Sequence, residues 1–146
     1  MNSAAKMLVL FVILFHAAIF VVEVFFWMNP GVHGIALRRL GGPVGLDLQV
    51  QAAVLRATFV NLGFYNLFLA VAGIVGFGFL RRGQVSIGRT LILYMCLSAV
   101  GAGVVLLVST QAYLGALLQA TPAAIAIALV VRAVRGDKRP AAAVAG

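Results

Sequence analysis

Four long apolar runs, at residues 7–28, 57–80, 91–108 and 112–131, constrain this chain more than any other feature of it. An α-helix rises about 1.5 Å per residue, so about 20 apolar residues cross the ~30 Å hydrocarbon core of a bilayer. Only a helix or a closed barrel satisfies its own backbone groups where no water is available, and runs of this length and continuity are helical. Composition agrees: 64% of the 146 residues are hydrophobic and 10% are charged, against about a quarter charged in an ordinary soluble domain. So little charge excludes a soluble enzyme, a disordered tail protein and a low-complexity chain. The 11 Lys and Arg against 3 Asp and Glu do not point to nucleic acid, because the basic residues fall between the apolar runs and do not gather on one surface. The first run reads as an anchored helix, since a signal peptide has a shorter apolar core and a small-residue cleavage site, whereas this run leads into Phe25-Phe26-Trp27. The single cysteine, Cys96, allows neither an internal disulfide nor a Cys-based metal cluster. The expected fold is all-α: one membrane domain over residues 1–146, a four-helix bundle with antiparallel neighbours, and a basic tail at 132–146.

Charge sets the expected orientation, because basic loops stay on the cytoplasmic side. Lys6, Arg81, Arg82, Arg89, Arg132, Arg135, Lys138 and Arg139 fall on one side, and Arg38, Arg39 and Arg56 on the other. Both termini are therefore expected in the cytoplasm, with the protein in the cell (inner) membrane. The connection at Ser109-Thr110-Gln111 is so short that the last two spans must form an antiparallel hairpin. The longest connection, from Asn29 to Leu55, begins with Asn29-Pro30-Gly31, which stops the first helix. Ile35 to Leu40 is expected to lie as a short amphipathic piece at the interface, before Gly41-Gly42-Pro43 turns the chain. Asp47 reads as an N-cap, starting the second long helix near Leu48 and carrying it beyond the bilayer.

Lipid provides no hydrophobic drive between helices, so contact depends on small residues facing one another. Gly63, Asn66, Ala70 and Gly73 recur at helical spacing in the second span, and Ala99 and Gly103 in the third. In the fourth span Ala112, Ala116, Ala120, Ala124 and Ala128 make an expected packing seam. Pro122 lies inside that span, where it removes one backbone hydrogen bond and is expected to bend the helix.

Glu23 is the residue that most needs explaining. A carboxylate within a span costs about 2.5 to 3.5 kcal/mol on insertion scales, so it is turned inward, paired, protonated or used. His16, seven residues earlier, and Trp27, four later, fall on the same helical face. Measured from the outer ends of the spans, Glu23 lies about 8 Å deep, Asn61 about 6, Gln119 about 10, Tyr65 about 12, Asn66 about 14 and His16 about 18 Å. Three spans thus bring hydrogen-bonding groups to the outer half of the bilayer, and a shared polar pocket is the economical expectation. Each group also has a structural reading: His, Asn and Gln commonly tie membrane helices together, and Tyr and Trp line contacts or interfaces. Burial favours the neutral form of Glu23 and amide or imidazolium neighbours the charged one, so its ionisation stays open. One His and one carboxylate are too few for a metal site, and no serine-nucleophile, phosphate-loop or zinc-protease motif is present.

Three segments carry a resemblance. His16-x6-Glu23-Val24-Phe25-Phe26-Trp27-x2-Pro30, Asn61-x-Gly63-Phe64-Tyr65-Asn66-x-Phe68-Leu69-Ala70 and Gln119-x2-Pro122-Ala123 resemble the domain-of-unknown-function 1304 family of small integral membrane proteins, in the same order over nearly the whole chain. Leu62 stands where the family usually has Gln, and the third span lacks the family's polar-aromatic stretch around Gly103. The resemblance implies a four-span membrane protein and no particular reaction. Glu23, His16, Asn61, Tyr65, Asn66 and Gln119 are also the positions that match its motifs.

Two classes of function follow. In one, Glu23, His16, Trp27, Asn61, Tyr65, Asn66 and Gln119 form an intramembrane pocket for a small lipophilic or protonatable ligand, with proton-linked transport as a subclass. In the other, the chain is an accessory or scaffolding subunit whose polar residues only fix helix packing. An enzyme using Glu23 and His16 as acid and base ranks behind both, for want of an electrophile-binding group. The expected partners are membrane lipids and a second copy or another membrane protein; no cofactor and no nucleic acid is expected.

Overall fold

The computed structural model describes residues 1–40 and 45–137. Among them are five α-helices: α1 (Ser3–Phe25), α2 (Pro30–Leu40), α3 (Leu48–Arg81), α4 (Val85–Ser109) and α5 (Tyr113–Asp137), and no strand. All but α2 are long and apolar enough to cross a membrane, and the chain is a multi-pass membrane protein. The turn expected at Gly41-Gly42-Pro43 and the tail from 138 to 146 lie outside the described residues. Residues 132–137, read from the sequence as tail, continue α5.

Local chemistry sets the helix ends. The Asn2 side chain accepts from the Ala5 amide at 2.9 Å and starts α1 ahead of the apolar run. Asp47 caps α3 as expected, its carboxylate accepting from the Gln49 and Val50 amides at 2.8 and 3.4 Å. At 34 residues, α3 is about 51 Å long, well beyond the thickness of the hydrocarbon core. The chain turns between α3 and α4 at Gly83, whose φ of 78° is a conformation open to glycine.

The four long helices form a closed ring, α1 against α3, α3 against α4, α4 against α5 and α5 against α1, with α2 laid on α3. Glycines show the register. A side-chain carbon at Gly63 would meet Val24 and Glu23, and one at Gly73 would meet Ile13. Ten residues forward on α3 thus correspond to about ten residues back on α1, and the two run antiparallel. Gly76 meets Gly88 and Ile92 at the α3–α4 crossing, and Gly103 meets Ala116 and Ala120 at the α4–α5 crossing. Between the helices, Val9, Val12, Ile13, Ala70, Ile92, Met95, Cys96, Ala99, Ala123, Ala126 and Val130 form the buried core. Leu14, Phe68, Ile74 and Leu97 point outward and are exposed, as befits a surface whose solvent is hydrocarbon.

The seam expected along α5 is corrected in its second half. Ala116 is buried and Ala120 half-buried, but Ala124 and Ala128 are exposed, and Ala123, Ala126 and Val130 are buried in their place. Steps of four residues rotate 400°, so a row of such steps drifts about 40° per step and leaves the interface. A straight seam alternates steps of three and four, as Gly63, Asn66, Ala70 and Gly73 do on α3. Through Pro122, α5 remains one uninterrupted helix.

Candidate functional site

Antiparallel packing of α1 on α3 puts Glu23 beside Asn66. The Asn66 side-chain amide donates to Glu23 Oε2 at 3.0 Å and to the Leu62 carbonyl of its own helix at 3.1 Å. Both of its N–H donors are used, which fixes the amide's orientation toward α1. Glu23 is half-buried, and Asn66 is its only hydrogen-bond donor among the described residues. A carboxylate offers about four lone-pair positions, so most of its accepting capacity is unused. Close approach is made possible by Gly63, where a side-chain carbon would lie 3.2 Å from Glu23 Cβ. Phe20 of α1 and Phe64 of α3 meet edge to face across the same seam, with ring centroids 5.4 Å apart, and give the pair an apolar flank.

The remaining residues do not converge on this pair. His16 is fully buried, and its Nδ1 hydrogen-bonds the Val12 carbonyl at 2.8 Å. A carbonyl can only accept, so Nδ1 carries the proton and a neutral ring keeps an acceptor at Nε2. That Nε2 has no hydrogen-bond partner among the described residues. Seven residues, about 10 Å along the axis, separate His16 from Glu23. Asn61 is exposed and Tyr65 is 59% exposed, so both lie on the outward face of α3. Gln119 is half-buried on α5 and makes no hydrogen bond to the Glu23–Asn66 pair.

Trp27 belongs to a second centre. Helix α1 ends at Phe25, so the helical face carrying His16 and Glu23 does not continue to residue 27. Instead Trp27, 2% exposed, donates from Nε1 to the Ala52 carbonyl at 2.9 Å and stacks on Phe59 with centroids 3.6 Å apart. Ala52 lies eleven residues, about 16 Å, along α3 from Gly63. His33 completes this centre, buried and bonded through Nδ1 to the Trp27 carbonyl at 3.1 Å. Sequence reasoning missed His33 because it took Asn29-Pro30 only as a helix stop. The same dipeptide is a helix-start signal, Asn as cap and Pro at the first helical position. Here Asn29 accepts from the Gly31 amide at 2.9 Å, and α2 begins at Pro30.

Chemically, the first centre is a half-buried carboxyl with one amide donor bonded to it and accepting positions to spare. The second is a packing joint in which Trp27 Nε1 and His33 Nδ1 are bonded internally. Among the described residues there is no group of three His, Cys, Asp or Glu placed to hold a metal ion.

Over residues 10–131 the sequence matches a family described as "Protein of unknown function (DUF1304)". No curated protein and no solved structure gives a significant match.

Proposed function

The chain belongs to this family of proteins of unknown function, and from that premise we propose that it binds a small lipophilic or protonatable ligand through Glu23, on the α1–α3 seam within the outer half of the bilayer. The observation that carries this reading is a half-buried carboxylate, on a helix of membrane-spanning length, with one donor bonded to it and the rest of its accepting capacity free. Such a group is costly in hydrocarbon unless protonated or partnered. A ligand bringing a hydroxyl, an amine or an amide would satisfy it. Asn66 holds the carboxylate in place, while Phe20 and Phe64 supply an apolar wall. The basic-loop pattern supports cytoplasmic termini in the cell membrane and, with them, an outer-side position for Glu23. Proton-linked transport could use the same carboxylate and would need more than one copy, since four spans are few to enclose a path.

A second reading, an accessory or scaffolding subunit, is favoured by one observation: Asn66 spends one donor tying α3 to α1 and the other on its own helix, which leaves neither for a ligand. The two readings separate in Glu23→Gln, which keeps an acceptor for Asn66 and removes the acid. Protein from native membranes is purified in mild detergent, its melting followed, and its co-purifying small molecules identified by mass spectrometry. A ligand site predicts a molecule retained by the native protein and lost from the variant, with melting temperatures that agree once the native protein is stripped of that molecule. A lowered melting temperature with an unchanged set of small molecules contradicts the ligand reading and supports the scaffold.

A further inference from the structure

Away from Glu23, the C-terminal half of α2 and the α4–α5 connection enclose an open cleft of about 430 Å³ lined by Ile35, Arg38, Arg39 and Gln111. The two parts are tied together, the Gln111 backbone N–H donating to the Arg39 carbonyl at 2.9 Å. That bond leaves the Gln111 side-chain amide and both guanidiniums available at the cleft. Neither arginine pairs with a carboxylate among the described residues. Helix α2 follows α1, and the α4–α5 connection joins two further helices of spanning length. The cleft therefore lies where the spans end, at the level of lipid headgroups.

We infer that this cleft is a binding site for a phosphate group, with Arg38, Arg39 and Gln111 as its donors and an anionic phospholipid as its carrier. Guanidinium groups match the geometry of phosphate oxygens, and two of them on one concave surface neutralise a single anion better than either alone. The cleft's other wall is apolar: Ile35 is 62% exposed within it, and Tyr113 and Leu114 are exposed just beyond Gln111. A charged floor beside apolar walls suits a molecule with a phosphate and acyl chains better than a free ion. Both arginines also offset the negative end of α2. That role needs the charges but not the cleft, and the experiment separates the two.

The full chain is reconstituted in nanodiscs of phosphatidylcholine with a minority of phosphatidylglycerol, and retained lipid is read by native mass spectrometry. Each charge-assisted hydrogen bond from a guanidinium to the phosphate contributes at least about tenfold in binding, so Arg38→Gln with Arg39→Gln should lower retention of phosphatidylglycerol roughly 100-fold. Arg81→Gln with Arg82→Gln, an equal loss of charge at the opposite ends of the spans, should leave retention near the native level. Gln111→Glu, which keeps the backbone tie and places a carboxylate at the cleft, covers the case in which the double variant fails to fold; it should also reduce retention. Added inorganic phosphate tells the carriers apart. No displacement at millimolar phosphate supports the lipid, and displacement supports the phosphate site with a soluble carrier. Equal losses in the two double variants, or no preference for phosphatidylglycerol over phosphatidylcholine in the native protein, would overturn the inference.

Discussion

Replacing Gly63 by alanine should separate α1 from α3 at the point where Glu23 meets Asn66. The new methyl carbon would lie 2.7 Å from Val24 Cγ2, 3.2 Å from Glu23 Cβ and 3.4 Å from the Phe20 carbonyl oxygen. Carbon atoms in contact sit about 3.5 to 4.0 Å apart, so the first distance is short by about 1 Å. Val24 cannot rotate out of the way, because a helix leaves valine essentially one rotamer. The helices must move, and the Asn66–Glu23 bond, now 3.0 Å, lengthens past the range of a hydrogen bond. Overpacking costs about 1 to 3 kcal/mol and the lost interhelical bond about 0.6 kcal/mol, a total of roughly 2 to 4 kcal/mol. Gly78→Ala on the same helix has nothing within 4 Å of the added carbon and should be neutral or stabilising by up to about 1 kcal/mol. Thermal unfolding of both variants in one detergent compares them directly. If Gly63→Ala melts with Gly78→Ala, α1 and α3 do not pack through Gly63, and the placement of Glu23 against Asn66 is wrong.

Gly103→Ala should destabilise the α4–α5 hairpin by about 1 to 3 kcal/mol, because the added carbon would lie 2.7 Å from Ala120 Cβ and 2.9 Å from the Ala116 carbonyl oxygen; the same melting assay reads it. Trp27→Phe keeps an aromatic ring on Phe59 and loses the bond to the Ala52 carbonyl, at a cost of about 1 kcal/mol, whereas Trp27→Ala costs about 3 to 5 kcal/mol. Asp47→Ala removes the α3 cap and should cost about 1 kcal/mol, visible as a lower melting temperature with unchanged helix content by circular dichroism. Cys96, fully buried between the helices, should resist a maleimide in the folded protein and react once it is unfolded, as mass spectrometry of the intact chain would show.

The four spans, the cap at Asp47 and the α3 seam were legible in the sequence because each follows from a strong local rule: apolar length, side-chain capping and helical spacing of small residues. Meeting of Glu23 with Asn66 was legible as shared depth, although the depths of about 8 and 14 Å put them further apart than they are. Depth counted from the end of an apolar run carries the error of that end, and α1 stops at Phe25 while its apolar run continues to residue 28. That same early stop moved Trp27 off the helical face it was expected to share and into the joint with α2. Burial within a face is harder still to read. Asn61 and Tyr65 lie at the expected level but on the outward side of α3, a difference of rotation that depth does not report. Along α5, alanine at every fourth position hid the drift of the seam, because a residue as small as alanine fits both a helix contact and a lipid-facing surface.

The central claim, an acid at Glu23 open to lipophilic molecules from within the membrane, is tested most directly by carbodiimide labelling. The chain has 3 acidic residues, Glu23, Asp47 and Asp137, so modified sites are readily told apart by peptide mapping. Dicyclohexylcarbodiimide, which partitions into hydrocarbon and adds to a protonated carboxyl, should modify Glu23 in membranes and spare Asp47, the exposed cap of α3. A water-soluble carbodiimide should show the reverse preference. Labelling of Asp47 by both reagents with none at Glu23 would contradict the account and leave the Glu23–Asn66 pair as a closed tie between two helices.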